Sequence, residues 1–235
     1  MAPNDPGGAG RFPADTEPAP SAARASAGPA RRYWSVRIDQ DGGWRIDPRS
    51  RRPMEAPGEH LAAMRSGLGR AAGTVPALWE HYTSLNPDGR VTTELEAEHA
   101  ALALFGLHQQ SQRLPMHRPR VSPGAALRSL HRSGRFSEEA VDRRVHAAAN
   151  ATSVPAFLYR LRGLITQLRD IAQPLDYDRL LSDIRDWHYP DSRQRVRRAW
   201  GLAYTAWAAV PDKDAPGDGA SGRGTPAKGP GATSA

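Results

Sequence analysis

Residues 153–171 read Ser153-Val-Pro-Ala-Phe157-Leu158-Tyr-Arg-Leu161-Arg-Gly-Leu164-Ile165-Thr-Gln-Leu168-Arg-Asp-Ile171, and this stretch decides the fold class. Its large apolar side chains recur at spacings of three and four, so a helix buries them all on one face. Ser153 supplies an oxygen for the helix start, and Pro155 sits in the first turn, where a missing N–H costs nothing. Pro174 ends the pattern. Downstream, Asp176 caps a segment whose Leu180, Leu181, Ile184 and Trp187 point one way while Asp178, Arg179, Ser182, Asp183 and Arg185 point the other. Pro190-Asp191 then breaks and recaps the chain, and Val196, Trp200, Ala203 and Trp207 carry a last helix.

Upstream the same period continues. Ser137-Glu138-Glu139 opens a helix to about Asn150, and Ser122-Pro123 opens one through Arg132 that Gly134 stops. Residues 93–109 are rich in Ala and Leu, with Leu95, Leu102 and Phe105 on one side and Ala101, Leu104 and Leu107 on another, which marks a central helix. Thr74 is placed to cap a short helix holding Pro76, Leu78, Trp79 and Tyr82. Leu61, Met64 and Leu68 form a further helical face, closed by Gly69 and Gly73. No strand-like run occurs after residue 47, so residues 58–210 read as an all-α domain.

The segment 32–57 is ambiguous. Tyr33–Ile38, Asp41-Gly42-Gly43 and Trp44–Ile46 fit a small hairpin, and they equally fit a short helix ending near Ile38. Residues 1–31 and 211–235 are Pro-, Gly-, Ala- and Ser-rich, and disordered tails are expected there.

The 235-residue chain has no cysteine, which excludes disulfides and cysteine-ligated zinc or iron–sulfur centres. No apolar run approaches the roughly 20 residues of a membrane span, and the N-terminus lacks the apolar block of a secretory signal. A soluble, cytoplasmic protein is expected. The formal charge of +7 favours polyanionic partners. Both tails are neutral, with three bases against three acids in each, so the excess lies in the body. The two lysines are both in the C-terminal tail, which makes arginine the only basic side chain between the tails apart from histidine.

One gap in the charge pattern points to a site. From His99 to Ser137 there is no Asp or Glu, yet Arg113, Arg118, Arg120, Arg128, Arg132 and Arg135 fall there. Arg128, Arg132 and Arg135 are spaced i, i+4 and i+7, one helix face, with Leu127 and Leu130 opposite. Stacked like charges cost a few tenths of a kcal/mol unless an anion covers them, and phosphate is the obvious anion. Residues 109–122 add a flexible basic loop able to wrap a backbone, whereas Phe136 is the one ring nearby, so phosphate contact without base reading is expected. An ordinary solvated charged face is the competing reading.

Catalytic patterns are absent. Gly67-Leu-Gly69-Arg70 has no preceding strand and no Gly-Lys-Ser/Thr, and reads as a helix stop. The eight histidines form no HExxH or HxxxH pair, and no metal site or cofactor is expected from them. Asp176, Asp178, Asp183 and Asp186 are the richest carboxylate cluster; Asp176 serves better as a cap, and Asp183 can pair with Arg179 or Arg185.

The blocks Leu61-Ala-Ala-Met-Arg65-Ser-Gly-Leu-Gly-Arg70, Thr74-Val-Pro-Ala-Leu-Trp79, Ala126-Leu-Arg128-Ser-Leu with Ser133-Gly-Arg135-Phe136, and Leu175-Asp-Tyr-Asp-Arg-Leu-Leu-Ser-Asp183-Ile-Arg-Asp-Trp187 resemble the CasB family in order and spacing over about residues 58–208. The resemblance implies a helical bundle in two small lobes and a non-catalytic small subunit of a type I-E CRISPR Cascade complex. It implies other Cascade subunits, a second copy of the chain, crRNA and both strands of target DNA as partners, and no small-molecule substrate. Carried over, Arg65, Arg128 and Arg135 fall on basic positions of the family pattern, and Arg70, Arg113, Arg118, Arg120 and Arg132 extend the patch. The family's usual first helix is replaced by Tyr33–Met54. Two other classes remain as alternatives: a metal-dependent nuclease using Asp178, Asp183 and Asp186, and a free-standing helical DNA-binding regulator.

Overall fold

A computed structural model describes residues 31–205; the expected tails and Trp207 lie outside the described residues, Arg31 apart. The elements are α1 (Tyr33–Arg37), α2 (Gly58–Ser66), a 3₁₀ turn (Pro76–His81), α3 (Thr93–Gln109), α4 (Pro123–Arg132), α5 (Glu138–Ala149), α6 (Val154–Asp170), α7 (Tyr177–Trp187) and α8 (Pro190–Thr205). The fold is all-α; the extended pairing among the described residues consists of isolated bridges.

Local chemistry sets most helix starts. The hydroxyls of Thr92, Ser122, Ser137 and Ser153 each accept the N–H three residues on, and the Asp176 carboxylate accepts from Asp178 N and Arg179 N. Thr74 does not cap: its hydroxyl donates to Ala71 O at 2.7 Å, and the segment that follows winds as a 3₁₀ turn behind Val75.

Helix α3 is buried nearly all round because α2, α6 and α7 pack on it. Helix α4 lies on α8, α5 on α6, and α7 on α8. One connected apolar cluster runs through all of them, from Tyr33 to Tyr204. Phe157 stacks on Trp187 with ring centroids 3.9 Å apart and Trp200 edges in at 5.6 Å, tying α6, α7 and α8. Two glycines permit the closest crossings. A Cβ at Gly106 would stand 2.6 Å from Met64 Cβ on α2, and one at Gly124 would stand 2.7 Å from Trp200 O on α8.

Residues 32–57 realise parts of both sequence readings. The short helix α1 comes first, then the antiparallel bridge Ile38–Trp44 around a turn at Gly42 (φ +84°) and a second, Ile46–Pro53, around the turn that follows. Trp34, fully buried, anchors this segment: its ring lies among Phe105, His117 and Tyr177, and its Nε1 donates to Asp178 at 2.8 Å. Arg32 adds a polar anchor. Its guanidinium meets Glu94 and Glu98 and donates to the Thr83 and Ser84 hydroxyls, while buried Glu98 also takes the Thr83 and Ser84 backbone N–H groups.

Candidate functional site

Of the eight arginines expected to form a basic patch, the structure brings Arg128 and Arg132 together. Both line an open cavity of about 470 Å³ between α4, α5 and α8, with His131, Glu138, Asp142, His146, Tyr204 and Thr205 as the other walls. Arg128 is half-buried, and its Nε has no hydrogen-bond partner. Arg135 does not share their helix face. Ser133 ends α4, Gly134 turns with φ +59°, and Arg135 lies beyond that turn, exposed. The helix ends at Arg132 as Gly134 indicated, so the i+7 spacing does not carry Arg135 onto the face of Arg128 and Arg132.

The acid-free window in the sequence is not acid-free in space. Helix α5 brings Glu138 and Asp142 against the α4 face. Asp142 Oδ1 accepts from the Tyr204 hydroxyl at 2.6 Å and lies 3.0 Å from His131 Nε2, while His131 Nδ1 is 3.6 Å from Glu138. The Tyr204 bond, then His131, holds the Asp142 carboxyl below its usual range; burial, then the bond to Asp142, pushes the Tyr204 hydroxyl up. Asp142 is thereby occupied in joining α4, α5 and α8. An incoming anion at the cavity meets Arg128, Arg132 and the exposed His146, with Asp142, whose Oδ1 is already bonded, and the exposed Glu138 as the two acids beside them.

The loop 110–122 is not the flexible arm expected from its prolines. Gln109 bonds Gln112 O, Leu114 O and Met116 N. Leu175 N donates to Met116 O, Arg118 N to Leu175 O, Asp176 N to Val121 O, and Arg120 N to Asp176 Oδ2. His117, read as part of the basic arm, is buried and accepts from Tyr177 N at 3.0 Å. Arg113, Arg118 and Arg120 are therefore exposed side chains on a fixed backbone. They border the N-terminal segment: Trp44 Nε1 donates to Arg113 O, Arg118 packs on Gly42, and Arg120 lies 4.0 Å from Asp41. Arg65, half-buried on α2, and exposed Arg70 beyond it lie on another part of the surface, near Gly106 and His99 respectively.

The α7 carboxylates are committed to the fold. Asp176 caps α7 and holds Arg120 N, Asp178 accepts from Trp34, and Asp186 pairs with Arg185 at 3.5 Å. Asp183 is 2 % exposed; it accepts from Trp200 Nε1 at 2.7 Å and meets Arg179 Nε at 3.3 Å. Burial pushes its pKa up to about 6. His117, Asp176 and Asp178 approach one another; both Asp176 oxygens already accept backbone N–H groups, His117 Nδ1 takes Tyr177 N and Asp178 Oδ1 takes Trp34 Nε1, while His117 Nε2 stands 4.0 Å from Asp178 Oδ2.

Comparison with known proteins identifies the fold. A family model described as CRISPR-associated protein Cse2 matches residues 60–204. CasB from Thermobifida fusca is 30% identical over 63% of this chain and 84% of its own, with a TM-score of 0.51. A CRISPR-associated protein of the Cse2 family from Thermus thermophilus is 22% identical over 63% of this chain and 86% of its own, with a TM-score of 0.50, and shows the shared fold. No curated protein matches the sequence. All eight arginines lie within the matched span, whereas the docked segment before residue 60 lies outside it. The chain therefore belongs to the Cse2 family of CRISPR-associated proteins, the family that includes CasB.

Proposed function

We propose that this chain is the non-catalytic small subunit of a type I-E CRISPR surveillance complex and grips nucleic-acid backbone through sequence-independent phosphate contacts. It acts with the other subunits of the complex and a second copy of itself, on crRNA and on both target strands. The observation that carries the reading is the cavity at which α4 presents Arg128 and Arg132 while Asp142, one of its two acids, is held by Tyr204 and His131 and the other, Glu138, lies 3.6 Å from His131 Nδ1. Arg65, Arg70, Arg113, Arg118, Arg120 and Arg135 supply further contacts along the surface. The commitment of Asp178, Asp183 and Asp186 to Trp34, Trp200, Arg179 and Arg185 supports a role without catalysis.

The energetics suit an accessory subunit. Phosphate contacts alone give dissociation constants on the order of 10⁻⁴–10⁻⁶ M and weaken steeply with salt. Exchange of a DNA duplex for an RNA–DNA heteroduplex is nearly balanced, so a few backbone contacts from a protein held in place decide whether the displaced strand stays out. The test is gel-shift affinity of the assembled complex carrying Arg128→Glu and Arg132→Glu, with circular dichroism on the isolated chain. Weaker retention of target DNA with unchanged helicity is expected. Unchanged affinity in a folded double variant overturns the assignment.

A further inference from the structure

His60, Glu80 and His81 meet where α2 passes the 3₁₀ turn. One ligand atom from each lies within 4.8 Å of the others, and the two imidazole rings are 4.8 Å apart between centroids. His81 is 8 % exposed, and its buried Nε2 has no hydrogen-bond partner; the nearest acceptor, Glu80 Oε1, is 3.6 Å away. A buried imidazole nitrogen without a partner is costly and calls for one. His60 already has an outer contact of the kind that orients metal-bound imidazoles: its Nδ1 lies 3.1 Å from the Tyr33 hydroxyl, which leaves Nε2 to coordinate. Two imidazoles and one carboxylate with an open side toward solvent form the donor set of a divalent transition-metal site.

We infer that His60, Glu80 and His81 bind one divalent transition-metal cation of the Zn²⁺ class, which clips α2 to the 3₁₀ turn. This goes beyond the nucleic-acid reading and is independent of it. Sequence spacing hides the site because His60 and His81 are 21 positions apart and meet only through the fold. Glu80 is well exposed, so the cation enters from solvent and keeps water in its remaining positions. Arg37 opposes binding. Its guanidinium covers the Tyr33 ring at 4.6 Å and reaches within 3.5 Å of His60 Nδ1, placing a fixed positive charge beside the cation.

The experiment is a titration of the full chain with Co²⁺, read by its visible d–d absorption, followed by competition with Zn²⁺ and by melting in increasing Zn²⁺. One equivalent bound per chain and a melting temperature that rises with Zn²⁺ are expected. His60→Gln and Glu80→Gln, at positions that are not fully buried, should each lose roughly tenfold or more in affinity with helicity unchanged. Tyr33→Phe should lose about tenfold by freeing the His60 ring. Arg37→Gln should bind about tenfold more tightly, a gain that a purely structural cluster does not produce. Absence of saturable binding at one equivalent, equal binding by His60→Gln, or binding that is lost in Asp178→Asn instead overturns the site.

Discussion

At the N-terminal end Arg32 ends among Glu94, Glu98, Thr83 and Ser84, and Trp34 beside it is wholly enclosed. At the α4 end Arg128 and Arg132 line an open cavity with two acids, Asp142, bonded to Tyr204 and His131, and the exposed Glu138, 3.6 Å from His131. The chain thus uses the same side chain for two purposes. Where a carboxylate waits in a buried place, guanidinium becomes a clamp that holds a segment to the core. Where the acids sit at the mouth of an open cavity and one of them is tied to a tyrosine and a histidine, guanidinium stands on a surface that water and an outside anion can reach. Arginine content alone therefore says little; the partner of the nearest acid says which use applies.

The N-terminal segment is expected to be most sensitive to substitution at Trp34. Replacing it by Ala empties a fully enclosed site under Phe105 and Tyr177 and removes the donor to Asp178, with an expected loss of about 3–5 kcal/mol in urea unfolding. If the segment around α1 were merely draped on the surface, the change would be within about 0.5 kcal/mol.

Asp183, between α7 and α8, offers a pH-dependent test of a buried charge. Its folded pKa of about 6 stands above the ordinary 3.8, because burial penalises the charged carboxylate. The contribution of the protonated form is fully present below about pH 4 and is lost as pH rises through about 6, amounting to about 3 kcal/mol at neutrality. Asp183→Asn keeps an oxygen for Trp200 Nε1 and removes that loss. The stability of the wild type relative to the variant should fall between pH 4 and pH 7, and parallel pH curves for the two proteins would refute a buried, costly charge.

A smaller effect is expected at Gly124, where α4 crosses α8. The Cβ of Gly124→Ala would press on Trp200 O and Ala203 Cβ, and backbone oxygen cannot swing aside, so about 1–3 kcal/mol should be lost. The cavity lies between the same helices, so displacement there should also weaken DNA retention. Arg132→Gln sharpens the contrast further, with stability within about 0.5 kcal/mol and a salt slope for target binding reduced by roughly 0.7–0.9. The same reduction should appear on unrelated target sequences. A loss confined to one sequence with an unchanged slope would instead mark a base-reading arginine.

Much of the fold was legible because its determinants are local. Ser122, Ser137, Ser153 and Asp176 start helices with their own side chains, and the period of three and four in Phe157–Leu168 follows from the helix itself. The site was legible only in part. Arg128 and Arg132 were identified from their spacing, but Arg135 fell beyond a turn that Gly134 makes, and the 109–122 loop is fixed by bonds to residues near Leu175. A sequence window free of acids could not register Glu138 and Asp142, because they arrive from the next helix.

Residue types and their spacing were enough to place most helix starts and their buried faces, to exclude cysteine chemistry, and to show that arginine carries the positive charge of the body. Which charges meet depends on the packing of the helices. Arg32 and Glu98 are 66 positions apart, His60 and His81 are 21, and Asp142 and Tyr204 are 62. Helix propensity acts over a few residues through bonds the backbone makes with itself, whereas the fate of a charge depends on the nearest opposite charge and on how much water remains between them, and both are set by how the helices pack.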